Sequence, residues 1–219
     1  MSFFEDLQIR TVDAREELLG VKVIQEALRG RIDRTQYVSF LSQAYHHVKH
    51  TAPLLMACGS RLPERLGWLR TAVAKYAEEE VGHEEWILSD IAACGADPER
   101  VRNATPGLET EVMVAYAYHQ VDRGNPVAFF GMVHVLEGTS TAIATTAADA
   151  MRRSLGLPAN AFTYLTSHGS LDIEHVKFFE GLMNRIDDPD DQEAVVHCAR
   201  AMYRLYGDIF RALPRSDRQ

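Results

Sequence analysis

The chain has no Asn-Gly or Asp-Gly dipeptide between alternating apolar runs, so the tight hairpins from which a β-rich fold is built are missing. Cysteine is sparse. Cys58, Cys94 and Cys198 lie far apart and form no C-x-x-C pair. Zinc-ribbon, iron–sulfur and thioredoxin-type readings lose their main support, and the three thiols read as packed and reduced. Positive charge is also short: 23 Lys+Arg face 31 Asp+Glu, a net charge of −8. A nucleic-acid surface needs clustered cations to displace counterions from phosphate, so nucleic acid is not an expected partner. Anionic membranes gain no support either. No apolar run approaches the ~20 residues that cross a bilayer. The start, Met1-Ser-Phe-Phe-Glu-Asp, lacks the basic and apolar regions of a signal peptide. A cytoplasmic protein is expected.

Helical punctuation is plentiful. The length of 219 residues, 46% of them apolar, suits one domain with a substantial core. One helix runs from Leu18 toward Gly30, and a second from Asp33 through Tyr45 and Val48 toward Met56. A third spans Trp68 to Ala93 and is closed by Gly95, and Thr105-Pro106 introduces a fourth. Asn125-Pro126 opens a fifth that reaches Met151, because an Asn side chain accepts a free backbone N–H and proline at the first position has none to waste. A sixth covers Ala161 to Ile186, and Asp188-Pro189 opens a seventh that ends near Leu213. A short helical segment is expected before Leu18. The sum is an all-α bundle of about seven helices in a single domain, residues 1–219.

Histidines and carboxylates recur on four of these helices. His168, Asp172 and His175 form H-x3-D-x2-H, and positions i, i+4 and i+7 fall within about 60° of one helical face. Their axial span of about 10 Å is long for one ion and natural for two ions roughly 4 Å apart. Glu80 and His83 share a face at i, i+3, as do Glu79 and His83 at i, i+4. Glu-x-x-His is the pairing used by carboxylate-bridged di-iron bundles, although five Glu in the eight residues 78–85 also describe a solvated face. Glu137 is the only acid between Asn125 and Asp149, in surroundings where an unpaired carboxylate is costly to bury. His134, one turn before it, reads as a support for Glu137 rather than a ligand. On the second helix His46 and His50 share one face and His47 lies on another flank, and periodicity does not rank them. Tyr45, Tyr76 and Trp86 sit close to these positions and read as core. Carboxylates can bridge two ferrous ions, while imidazole adds nitrogen donors and leaves positions open for dioxygen; manganese suits the same set.

This pattern of E-x-x-H, a distant lone helical Glu and H-x3-D-x2-H resembles the heme-oxygenase-like di-iron oxidases. These are also described as iron-containing redox enzymes, and are related to TenA/PqqC-type and CADD-like proteins. The resemblance covers residues 18 to 213 and implies a heme-oxygenase-like helical bundle. It implies Glu80, His83, Glu137, His168, Asp172 and His175 as iron ligands. The family's remaining ligand, a Glu on the second helix, aligns close to His46, with His50 as the neighbouring alternative. Implied with this are ferrous iron, most simply as a pair, and an oxygenase or oxidase acting with dioxygen on a small organic substrate. A homodimer is expected by the same analogy. Against a TenA-type hydrolase, no Cys lies between Pro126 and Leu155 to act as nucleophile. The alternative is a non-catalytic or metal-independent TenA/PqqC-like protein, favoured by the missing second-helix Glu.

Overall fold

The computed structural model describes residues 1–215, with the side chains of residues 168–175 outside that description. Among the described residues there are helices and no strands. The N-terminal helices are α1 (Phe3–Arg10), α2 (Val12–Leu19) and α3 (Lys22–Leu28), followed by α4 (Arg34–Val48), α5 (Thr51–Arg61) and α6 (Gly67–Glu80). Then come α7 (His83–Ala93), α8 (Pro98–Arg102) and α9 (Leu108–Arg123). The C-terminal half is built from α10 (Phe129–Leu155), α11 (Thr163–Met183) and α12 (Pro189–Ala212).

Local chemistry sets these boundaries. Ser2 and Asp33 each form a capping box, with Glu5 and Gln36 reaching back to the cap. The Asn125 side chain accepts from Val127 N, and a single 3₁₀ turn leads into α10. Asp188 accepts from the amides of Asp190 and Asp191, with Pro189 at the first position of α12.

Two helices expected to be continuous are each broken. The second parts at Lys49 and His50, so that Pro53 falls in the first turn of α5, where its missing N–H costs nothing. The third parts at Val81 and Gly82. Gly82 has φ +91°, the left-handed region open to glycine.

The long helix α10 is the spine, packed on α11 and α12, while α4 packs on α7 and α5 on α6. At Gly131 the α10 and α12 backbones touch: a Cβ there would sit 2.5 Å from both Ala199 N and Val195 O. Against the expectation that no apolar run approaches bilayer length, the segment Pro126–Leu155 is long and apolar enough to cross a bilayer by length and composition. More than half of its most apolar stretch is buried inside the bundle, so core packing accounts for its hydropathy.

Helix α11 runs antiparallel to α10. Its Phe179 packs on Phe130 with ring centroids 6.3 Å apart, and Tyr164 and Leu165 meet the end of α10 that carries Ala147 and Met151. The buried Asp90 of α7 holds the start of α11 by accepting from Thr163 N at 3.0 Å and Tyr164 N at 2.9 Å.

Candidate metal centre

A cavity of about 150 Å³ lies along the bundle axis between α3, α4, α10 and α12, with α6 and α11 closing its sides. Its walls are mostly aliphatic and aromatic. Three ionisable or ligating side chains of the sequence analysis line it: His47 from α4, Glu80 from α6 and Glu137 from α10. These three make up the waist, the acid and imidazole part of a mostly apolar lining. No Lys or Arg is among the lining residues.

Each group is held differently. His47 is 2% exposed, and its ring meets Tyr206 of α12 edge-on with centroids 5.8 Å apart. Glu80 ends α6 and His83 begins α7. Although Gly82 breaks the helix between them, Glu80 Oε2 and His83 Nδ1 are 3.0 Å apart and both residues are buried. The indole of Trp86 stacks on the His83 ring, with centroids 4.1 Å apart, and fixes its plane. Tyr76, one turn before Glu80, also lines the cavity and packs on Phe178.

His46 and His50 do not line the cavity. His46 Nδ1 lies 3.3 Å from Lys49 Nζ, and burial followed by the nearby Lys49 and His50 lowers its pKa. His50 Nδ1 lies 3.1 Å from the Tyr118 hydroxyl, and burial followed by Lys49 lowers its pKa as well. On the second helix it is thus His47 that faces inward. The signal was in the residue pattern: Gln36, Phe40, His47 and Val48 form the lining stripe of α4, whereas His46 shares its face with the polar Ser39, Gln43 and His50. His134 also points away from Glu137. It is enclosed by Phe4, Phe179 and Tyr203, and burial followed by Arg15 lowers its pKa to about 4. His168, Asp172 and His175 sit on the helical backbone of α11, but their side chains lie outside the described residues.

Among the described residues no three His, Cys, Asp or Glu side chains converge on one point that holds a metal. The donor chemistry nevertheless fits iron. Two carboxylates and an imidazole line the same cavity. Mixed carboxylate and imidazole donors are those of ferrous and manganous sites.

The helical architecture defines the class, a heme oxygenase-like fold. A model of the iron-containing redox enzyme family matches residues 38–207, and the chain belongs to that family. No curated protein matches the sequence. Among solved structures, a domain of unknown function with a heme oxygenase-like fold from Shewanella denitrificans is 25% identical, with a TM-score of 0.86, covering 97% of this chain and 92% of that one. A TenA homolog from Pseudomonas syringae pv. tomato is 8% identical with a TM-score of 0.78, covering 95% and 91%. Heme oxygenase-1 from the cyanobacterium Synechocystis, in complex with heme, is 11% identical with a TM-score of 0.75, covering 97% and 92%.

Proposed function

We propose that this redox enzyme is a non-heme iron oxygenase or oxidase that acts with dioxygen on a small organic substrate, most simply through a pair of ferrous ions. One observation carries the reading: His47, Glu80 and Glu137, from three helices, line one mostly apolar channel. In this reading the H-x3-D-x2-H segment of α11 supplies further ligands. The ligands in this reading are Glu80, His83, Glu137, His168, Asp172 and His175, with His47 taking the second-helix position in place of His46 or His50.

Bound iron would supply the redox equivalents and the activation of dioxygen. The protein's own residues do the rest. Glu80 and Glu137 balance positive charge in a site that excludes water, where electrostatic interactions are stronger than in solvent. The bond between Glu80 and His83, with Trp86 stacked behind, holds both side chains in orientation before any ligand arrives. Apolar walls keep bulk water from the reacting end.

A cysteine-nucleophile hydrolase finds no support here. Cys58, Cys94 and Cys198 are all buried and none lines the cavity. Burial pushes their thiols up, Cys58 and Cys198 to about 12 and Cys94 to about 11, so thiolate is scarce at neutral pH. Anaerobic reconstitution with ferrous ion followed by elemental analysis tests the proposal. Two irons per chain are expected, with stoichiometry falling in Glu137→Gln and Glu80→Gln and oxygen uptake following it. If wild type retains no more iron than the Glu80→Gln/Glu137→Gln double variant, the proposal is wrong.

A further inference from the structure

Two hydroxyls that line the channel have no hydrogen-bond partner among the described residues. Thr139 is 6% exposed, and its Oγ1 has no hydrogen-bond partner among the described residues; the same holds for the buried Oγ of Ser140. Both residues line the cavity within one turn of Glu137. In helices such hydroxyls commonly return a bond to the preceding turn, as Thr141 does to the Glu137 carbonyl at 3.0 Å. A buried hydroxyl left without a partner costs roughly the desolvation of that group, so a ligand that bonds to it gains by the difference.

From Ala144 to Met151 the lining contributed by α10 is apolar. Along α10 the stripe Ser140, Ala144, Ala147 and Met151 faces it, at spacings of three and four residues. Ile32, Tyr37 and Leu165 also line it. From Ser140 to Met151 the axis advances about 16 Å. With roughly 1.3 Å of advance per methylene, from C–C bonds of about 1.5 Å, that length takes an extended chain of about a dozen carbons with its head at the waist.

From this geometry we infer that the site takes an unbranched long-chain amphiphile with an uncharged oxygen head, such as an alcohol or aldehyde. The head bonds to Thr139 Oγ1 and Ser140 Oγ, and the tail lies along Ala144 and Ala147 to Met151. Charge decides against an anionic head. No Lys or Arg lines the channel, and any cation held at the waist already faces Glu80 and Glu137. Ala144 and Ala147 set the chain length, because their small side chains leave the bore open. This inference rests on the proposed function only in taking the waist as the reacting end.

The test is calorimetric titration of the full chain, metal-free and iron-loaded, with straight-chain alkanols from hexanol to tetradecanol and with dodecanal and dodecanoate. Affinity should rise about fourfold per added methylene up to the length of the channel and then stop. Dodecanoate should bind more weakly than dodecanol. The nearly isosteric Thr139→Val should weaken dodecanol binding three- to tenfold while leaving the methylene increment unchanged. Ala147→Leu should move the optimum to shorter alkanols, and Ala144→Val provides the same reading if the leucine variant fails to fold. Tighter binding of dodecanoate, an affinity indifferent to chain length, or an unaffected Thr139→Val overturns the inference. Dodecanol binding in a chain that retains no iron sinks the proposed function and leaves the substrate class standing. Iron binding without alkanol binding does the reverse.

Discussion

Gly131 is where the spine of the bundle can be tested most directly. A methyl group added there would meet Ala199 N and Val195 O at 2.5 Å and Cys198 Cβ at 2.8 Å. Two of the three obstacles are backbone, and a helix backbone does not step aside as the end of a flexible side chain does. Overpacking of this kind costs about 1–3 kcal/mol, and rigid neighbours put Gly131→Ala at the top of that range. Against this, alanine gains about 1 kcal/mol over glycine in a helix interior. The net is a loss of about 2 kcal/mol, or a fall in Tm of roughly 4–8 °C for a chain of this size. Gly138, two turns further along the same helix, is the internal control, since a Cβ there meets nothing within 4 Å. Gly138→Ala should raise stability by about 0.5–1 kcal/mol through propensity alone. Thermal and urea unfolding followed by far-UV circular dichroism read both variants. Opposite signs are required. If Gly131→Ala is as stable as wild type, or if both substitutions stabilise, the close crossing of α10 and α12 is refuted.

Further expectations concern buried groups outside the proposed ligand set. His134, held near 4 by burial, stays neutral as the pH falls, whereas the unfolded chain takes up a proton near 6.5. The unfolded state then binds more protons, so stability declines between about pH 6.5 and pH 4, by about 3 kcal/mol in all. His134→Leu should flatten that limb of the urea midpoint against pH, and an unchanged limb would rule His134 out as its source. Asp90→Ala removes the acceptor shared by the Thr163 and Tyr164 amides. A loss of about 1–3 kcal/mol is expected, with faster amide exchange at the start of α11 than at its end. The Tyr37 hydroxyl donates to the Ala161 carbonyl at 2.8 Å in a buried setting, so Tyr37→Phe should cost about 1 kcal/mol by denaturant titration.

The bundle was legible in the sequence because its helix starts are written in short-range chemistry. Asn125-Pro126 and Asp188-Pro189 announce caps that the side chains do form. The two breaks were less legible. Pro53 and Gly82 are each tolerated inside a helical pattern, and only the packing of the flanking segments decides whether the chain bends. At the channel, Glu137 stood out because its neighbours are apolar, a contrast visible along one helix. His47 did not stand out, since three histidines in five residues hide the inward one unless the whole stripe of α4 is read. His134 misled for a related reason. Its place one turn from Glu137 suggested partnership, but the face it occupies belongs to Phe4, Phe179 and Tyr203, residues distant in sequence. Thr139 and Ser140 were invisible as candidates because a lone hydroxyl in a helix carries no spacing signal.

The joint at Gly82 puts the two halves of an inner pair on separate levers. Glu80 ends one helix and His83 begins the next, while Val81 between them is 63% exposed and nothing crowds Gly82. A buried polar contact is therefore strung across a seam that reaches the outer surface. A residue inserted at Val81–Gly82 would leave α6 and α7 each intact yet lengthen the tether between acid and imidazole. Among the helices that line the channel, this seam is where the centre is adjustable from outside without touching the core.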